Sequence, residues 1–567
     1  MISISGKKWV EKKVNRNSIE KIKQDFNFKD ILARLIVLRN YDITEINNIN
    51  NNLKLTNIFK KNSDFISASD ILLNSINKKE NICILGDYDV DGISATSLLI
   101  RYFKHINQNF FYYIPDREKD GYGATTKLFQ KLISKKPKLV IMVDCGSTSN
   151  KAIDYLNQNN IKSIIIDHHE MNKPYPKSNV IINPKKKTDY GEYDYLCSTT
   201  LTYFFIDMVI LKMKSKFKLS DFLIYVLLAT VCDVMPLRKL NKILTSNVLR
   251  NFKLENNLAF KTIFDELSLK KKLTVEDLGF LIGPIINSGG RLGYSNYGTE
   301  LLTSNNKDTL QKKTSELINL NNKRKKLEKN ILNEINFTKI SRKNKNVIIY
   351  HDNNMHEGLI GIIAARLKEY FNKPSIVLTK SNNLLKASAR STKNYNIGKI
   401  IKLLIDKNII ENGGGHNMAA GFSIKKKNLN LLDDFVQKDY LTNNQNFKLI
   451  FKYDSEISAA ALNKDFYDEI DKLGPFGNDN ELPIFLIKNV KIFKPKVVGE
   501  NHISSIIKPS SGHSIKSICF NCANTKISEY LLSYKKKINI IAHIAENSFN
   551  NKKSIQLNIK DLFLSGN

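Results

Sequence analysis

The stretch GDYDVDG at residues 86–92 sets carboxylates at alternate positions, Asp87, Asp89 and Asp91. Such spacing suits a hard cation held by oxygen ligands, and D-x-D-x-D-G is how an EF-hand calcium loop opens. An EF-hand also needs a bidentate carboxylate at its twelfth position, which here is Leu98, inside the apolar run Leu98, Leu99, Ile100. That position argues against a calcium loop. The flanks point elsewhere: Ile82, Cys83, Ile84 and Leu85 form a short apolar run, and ISATSLLIRYF (93–103) reads as a helix. Strand, acidic loop and helix in that order mark the place where an open α/β sheet puts its ligands. Taken alone, the stretch has a solvated acidic turn as its plain alternative.

Other acidic and imidazole residues close apolar runs in the same way. KLVIMVD (138–144) ends in Asp144, SIIID (163–167) ends in Asp167 followed by His168 and His169, and DFLIYVLLATVCD (221–233) ends in Asp233. If the strands are parallel neighbours, their ends meet at one edge of the sheet. Each residue has a plain structural reading: a helix cap for Asp144, a core histidine for His169, a helix terminus for Asp233. Jointly they imply more, because carboxylates crowded at a sheet edge repel one another and take up protons unless cations bind.

The elements that must position these residues follow from the periodicity. From about residue 80 to 240, short apolar runs alternate with helical patterns, which predicts a parallel sheet with helices on both faces. Residues 307–337 are highly charged, with Leu310, Leu317, Leu320, Leu327, Ile331 and Ile335 on one face, and predict one long amphipathic helix. A second α/β segment opens at NVIIY (346–350) and includes the Gly-rich turn NGGGHNMAAGF (412–422). Beyond about residue 450, LPIFLIKNVKIF, INIIAHIAE and KSIQLNIKDLFL suggest a small antiparallel β domain of OB type. Residues 21–80 look helical and linker-like.

The 567 residues allow two to four domains, and 42% hydrophobic with 25% charged residues is globular composition. The net charge of +33 is spread along the chain, which makes nucleic acid the leading partner and an acidic membrane surface the weaker one. The longest apolar runs, FFIDMVIL (204–211) and IYVLLATVC (224–232), fall far short of the roughly 18–20 residues that span a bilayer. The N-terminus MISISGKKWVEKKVNRN has no apolar stretch of the secretory kind, so the expected location is the cytoplasm. Six cysteines over this length make no disulfide framework. Cys519 and Cys522 form a CxxC pair, but only His502 and His513 lie near enough to complete a site, so zinc is not expected.

DHH at 167–169, following GDYDVDG and VDCGS, resembles the signature of the DHH phosphoesterases. IPDREKDGYG (114–123), IGPIINSGGRLG (282–293), HEGLIGIIAARL (356–367), SARS (388–391), NGGGHNMAAGF and GPFGNDNELPIF (474–485) narrow the resemblance to the RecJ family of single-strand-specific 5′ to 3′ DNA exonucleases. The resemblance implies an N-terminal helical segment over 1–75, a parallel-sheet DHH catalytic domain over 76–305, a connector helix over 306–340, a DHHA1 α/β domain over 341–445 and an OB-fold over 446–567. It also implies a site for two divalent ions, Mn²⁺ or Mg²⁺. Asp87 would serve one ion, Asp89, His168 and Asp233 the other, with Asp144 bridging. His169 would stand beside them toward the phosphate, and Asp91 would orient the loop. Two ions about 3.5–4 Å apart can hold both the attacking and the leaving oxygen, and mixed carboxylate and imidazole ligation suits Mn²⁺. No histidine stands just before Asp87, where many small DHH phosphatases carry a ligand, so the first ion should be weakly held.

The substrate residues implied by the resemblance are Ser388 and Arg390, with Arg117, at the 5′ phosphate, and Arg291 and His416 along the groove. Arginine suits the task because its planar fork binds phosphate bidentately. The OB-type domain would extend a basic path for one strand. The implied partners are single-stranded DNA, a helicase and a single-strand-binding protein; the chain is expected to be a monomer with no membrane association. A nanoRNase or phosphatase of the same superfamily, or a non-catalytic replisome scaffold, are the alternatives. The chain length and the GPFGNDNELPIF motif (474–485) speak against the former, and the complete ligand set speaks against the latter.

Overall fold

The computed structural model describes residues 2–51, 53–116, 120, 123–186, 190–381, 383–444, 450–509, 512–534, 536–549 and 552–564. The chain forms two compact units, one of residues 1–55, 236–247 and 448–567, the other of 56–235 and 248–447. Strand β1 (Lys8–Glu11) belongs to the first unit.

The second unit begins with a parallel sheet. Its strands are β2 (Ile82–Gly86), β3 (Phe110–Tyr113), β4 (Leu139–Val143), β5 (Lys162–Ile166) and β6 (Val180–Ile182), in the order β3-β2-β4-β5-β6. All neighbours run parallel. Every residue of β2 and β4 is buried, as expected of strands covered by helices on both faces. Cys83, Leu85, Val140, Met142 and Ile165 face one side, where they pack with Leu128, Phe129, Ile153 and Leu156. The helices Val90–His105, Ser198–Met213 and Leu223–Cys232 pack together; the last is apolar all round and its Ile224–Thr230 are buried. The chain goes outward from β2 to β3, then returns to the other side of β2 for β4, so strand order reverses between β2 and β4. Ligands of open α/β sheets bind beyond the carboxyl ends at such a reversal.

The charged segment after residue 306 is a helix over Lys307–Glu334, N-capped by Asn306 and burying Leu310 and Leu317. It ends a turn before the predicted boundary, where Ile335 turns to an extended backbone and a short helix Phe337–Arg342 follows. The second sheet of this unit contains β7 (Ile348–His351), β8 (Ser375–Ser381), β9 (Leu384–Arg390), β10 (Asn412–Gly415) and β11 (Ala419–Ile424), in the order β10-β11-β9-β8-β7. Only β7 and β8 pair in parallel within it.

In the other unit, β12 (Ile450–Tyr453) pairs with β1, and β13 (Ser455–Ile457) extends a barrel. The barrel strands are β14 (Ile484–Val498), β15 (His502–Lys508), β16 (Ile515–Cys519), β17 (Ile538–Phe549) and β18 (Lys552–Leu564), and a β14–β17 pairing closes the ring. Five closed strands are the OB-type architecture expected. The N-terminal stretch that reads as a linker is divided between the units. Leu32, Leu35 and Ile36 of the helix Asp30–Leu38 share one core with Phe485, Ile487 and Ile540 of the barrel, whereas the helix Ser63–Asn77 belongs to the other unit. No described helix is long and apolar enough to cross a membrane.

Candidate metal centre

The loop after β2 is shaped by one carboxylate and one glycine. Asp89 N-caps the helix Val90–His105, its Oδ1 accepting from the N–H groups of Asp91 (3.0 Å) and Gly92 (3.1 Å). A Cβ on Gly92 would lie 2.5 Å from both the backbone nitrogen and oxygen of Asp87, so only glycine lets the helix start fold back onto that aspartate. From the far side, Gly290 brings the helix Gly283–Arg291 against the Tyr88 carbonyl, and Asn287 Oδ1 accepts from Val90 N–H (3.1 Å).

Asp144 follows β4 in the left-handed region (φ 61°), and its N–H donates to Ile166 O (2.9 Å). It is 1% exposed; Oδ1 accepts from Ser198 Oγ (3.0 Å). Asp167, beyond β5, organises the double histidine. Its Oδ1 accepts from the N–H groups of His168 (2.8 Å) and His169 (3.1 Å) and pairs with His169 Nδ1 (2.7 Å), while Oδ2 accepts from Ser147 N–H (3.0 Å). Burial opposes its ionisation, but the two imidazoles and these hydrogen bonds outweigh it and hold the carboxyl well below the usual range.

The two histidines are thereby driven apart. Burial, with the neighbouring His169, pushes His168 down to about 3, which leaves it the neutral imidazole a metal requires. His169 is also penalised by burial, yet the Asp167 charge and hydrogen bond raise it to about 10. His168 Nε2 lies 3.2 Å from Asp233 Oδ2, 3.5 Å from Asp144 Oδ1 and 3.7 Å from Asp91 Oδ2.

Three groups of ligand atoms lie within 4.8 Å of one another: Asp87, Asp89 and Asp144; Asp91, His168 and Asp233; Asp144, His168 and His169. The resemblance pairs Asp89 with His168 and Asp233, whereas its duty as helix cap brings it to Asp87 and Asp144. Asp91 has both oxygens engaged, Oδ1 by Thr199 N–H (2.8 Å) and Oγ1 (2.6 Å), Oδ2 by Ser198 N–H (2.8 Å). Asp144 Oδ2, His168 Nε2 and Asp233 Oδ2 are buried and have no hydrogen-bond partner among the described residues. Burial, then the charge of Asp91 and its neighbours, pushes Asp144 and Asp233 well above the usual carboxylate range. Buried ligand atoms that make no hydrogen bond, set among mutually repelling carboxylates, fit a divalent cation.

Of the residues read as substrate contacts, Ser388 and Arg390 lie on β9, His416 lies between β10 and β11, and Arg291 ends the helix Gly283–Arg291. His416 stacks on His169, with ring centroids 5.9 Å apart. Arg390 Nη1 donates to Ser388 Oγ (3.2 Å), and Arg291 Nη1 donates to the Gly358 carbonyl (3.2 Å). The HEGLIG stretch gathers both: a Cβ on Gly358 would press on the Arg291 carbonyl, and one on Gly361 would meet Ser388 Oγ and Arg390 Nη2 at 3.1 Å. Arg117 lies outside the described residues. Sequence reasoning missed Ser198 and Asn287 as partners of the acidic loops and left the organising role of Asp167 unassigned. The first residue of the DHH signature was the available hint for Asp167. Among the described residues, neither Cys519 nor Cys522 joins a group able to hold a metal.

Models of three families match the chain: the DHH family N-terminal domain over 81–230, the DHHA1 domain over 344–440 and the RecJ OB domain over 453–561. The single-stranded-DNA-specific exonuclease RecJ of Bacillus subtilis is 24% identical, over 99% of this chain and 71% of its own length. RecJ of Salmonella typhimurium is 28% identical over 88% of this chain and 90% of its own. The crystal structure of Thermus thermophilus RecJ in complex with Mn²⁺ superposes with a TM-score of 0.82 at 18% identity, covering 98% of this chain and 79% of that one. With its DHH, DHHA1 and RecJ OB domains in this order, the chain belongs to the RecJ family of DHH phosphoesterases.

Proposed function

We propose that this chain is a metal-dependent exodeoxyribonuclease that hydrolyses single-stranded DNA from its 5′ end, acting in DNA recombination and repair. The observation that carries the reading is the convergence of Asp144 Oδ2, His168 Nε2 and Asp233 Oδ2, buried ligand atoms from separate elements that make no hydrogen bond among the described residues. Asp87, Asp89 and Asp144 would hold one divalent cation, and His168 and Asp233 the other, with Asp144 shared. When bound, two such ions, Mn²⁺ or Mg²⁺, neutralise the phosphodiester and lower the pKa of the attacking water.

The remaining residues supply orientation and fixed charge. His169, oriented by its Nδ1 contact with Asp167, would present its ring beside the ligands, toward a phosphate oxygen. His416 stacks on it and would line the same phosphate path. Ser388 and Arg390, with Arg117, would take the 5′ phosphate and Arg291 the adjoining backbone, which sets the polarity of attack. The barrel would hold the strand beyond the site through backbone charge and base stacking, without reading sequence. A helicase that unwinds duplex and a single-strand-binding protein are the partners this chemistry calls for, and we place the enzyme in the cytoplasm as a monomer. A phosphatase or nanoRNase working on very short substrates would have no use for the barrel. A non-catalytic scaffold would have no use for an intact ligand set.

The test is the digestion of a 60-nucleotide strand labelled at either end, single-stranded or annealed, with Mn²⁺. Mononucleotides released from the 5′ end of the single strand alone support the reading. Release from the 3′ end, or activity confined to dinucleotides, would overturn it.

A further inference from the structure

We infer that Ser198 is a positioning residue for the shared ligand Asp144, and that Asp91 is committed to holding Ser198 in place. The inference rests on the metal-centre reading above and extends it to a residue outside every motif named so far.

Asp144 is buried, so water cannot orient its carboxylate. Of its two oxygens, Oδ1 accepts the Ser198 hydroxyl at 3.0 Å and Oδ2 has no partner among the described residues. That hydroxyl therefore restrains the carboxylate and leaves Oδ2 for a cation. Ser198 can do this only if its backbone is fixed, and it is the first residue of the helix Ser198–Met213. That helix has Cys197 as its N-cap, which makes no side-chain capping bond. The first N–H groups of an uncapped helix need acceptors from elsewhere. Asp91, from the loop after β2, supplies them: Oδ2 accepts from Ser198 N–H at 2.8 Å and Oδ1 from Thr199 N–H at 2.8 Å. Thr199 Oγ1 closes the arrangement on Asp91 Oδ1 and on the Asp91 carbonyl, at 2.6 and 2.9 Å.

Asp91, Ser198 and Thr199 are each at most 1% exposed, so these bonds form away from competing water. The chain of contacts runs from the third aspartate of GDYDVDG, through a helix start, to the aspartate after β4. It explains why Asp91 is present although its oxygens are already engaged. Outer partners of metal ligands act in this way, and their loss typically weakens metal binding about 10- to 100-fold.

The test is direct Mn²⁺ binding to the full chain, read from the EPR signal of free Mn²⁺, for wild type, Ser198→Ala and Asp144→Ala. We expect Ser198→Ala to keep its circular dichroism spectrum and bind Mn²⁺ about tenfold more weakly, and Asp144→Ala to lose at least one ion. Ser198→Gly carries the same expectation should the alanine variant fail to fold. A role confined to helix stability would lower the melting temperature and leave Mn²⁺ affinity within twofold of wild type, and that result overturns the inference. Asp144→Ala binding Mn²⁺ like wild type would overturn the metal-centre reading itself, which separates the two failures.

Discussion

Replacing Gly92 with alanine tests how closely the helix start is moulded onto Asp87. Glycine to alanine in a helix ordinarily gains about 1 kcal/mol. Here the added Cβ would stand 2.5 Å from Asp87 N and O and 2.7 Å from its carbonyl carbon. Favourable carbon contacts begin near about 3.5 Å, so the Asp87 backbone must recede by on the order of 1 Å. Overpacking of this kind costs roughly 1–3 kcal/mol, which cancels or exceeds the propensity gain. A reacting group misplaced by about 1 Å loses on the order of 100-fold in rate. Gly279→Ala is the control, because its Cβ would meet only Val231 Cγ1, at 3.3 Å, which a small side-chain shift relieves. Initial rates on 5′-labelled single-stranded DNA with Mn²⁺ should fall about 100-fold for Gly92→Ala and stay near wild type for Gly279→Ala. Wild-type activity in Gly92→Ala would refute the claim that the loop depends on this close approach.

Other perturbations follow from the same geometry. Lys242 is buried against Tyr41 and the Leu473 carbonyl, and burial lowers it to about 7; between about 7 and 10.5 the unfolded chain holds a proton that the folded chain does not. Stability of the barrel-bearing unit should therefore rise with pH through that window, at up to about 1.4 kcal/mol per unit. Urea unfolding followed by Trp9, the single tryptophan, should show this rise in wild type and a flatter curve in Lys242→Met. Arg390→Ala should raise KM for 5′-phosphorylated strands about 10- to 100-fold, the worth of a hydrogen bond to a charged group, with little change for 5′-hydroxyl strands. Arg390→Lys should not restore the difference, since a lysine cannot make the bidentate contact. Binding of single-stranded DNA to metal-free protein should weaken with salt at a logarithmic slope of about 0.7 per neutralised phosphate, and a flat response would contradict the basic-groove reading.

Much of this was legible because Asp87, Asp144, Asp167 and Asp233 each close an apolar run. Asp87, Asp144 and Asp167 stand where β2, β4 and β5 end, and a parallel sheet has to bring those ends together. Asp233 was legible for the same reason, at the end of an all-apolar helix. What joins these residues was not, because the partners depend on register between distant segments. The Ser198–Asp144 and Asp91–Thr199 bonds span 54 and 108 positions, and a serine at a helix start has no periodicity to betray it. The union of the N-terminal helices with the barrel was hidden likewise: Leu32, Leu35 and Ile36 show an apolar face, but nothing local says what covers it. The helix after residue 306 was legible to within a turn, since amphipathic spacing continues past Glu334 although the backbone does not.

On the reading proposed above, the carboxylates after β2 and β4, with His168 and Asp233, hold two cations that together cleave DNA. Calorimetric titration of metal-free protein with Mn²⁺, paired with digestion of 5′-labelled single-stranded DNA on the same samples, tests it most directly. Two ions per wild-type chain are expected and, for Asp144→Ala, fewer ions and no release of mononucleotides. Two ions bound at wild-type affinity by Asp144→Ala, or digestion that survives the substitution, would contradict it.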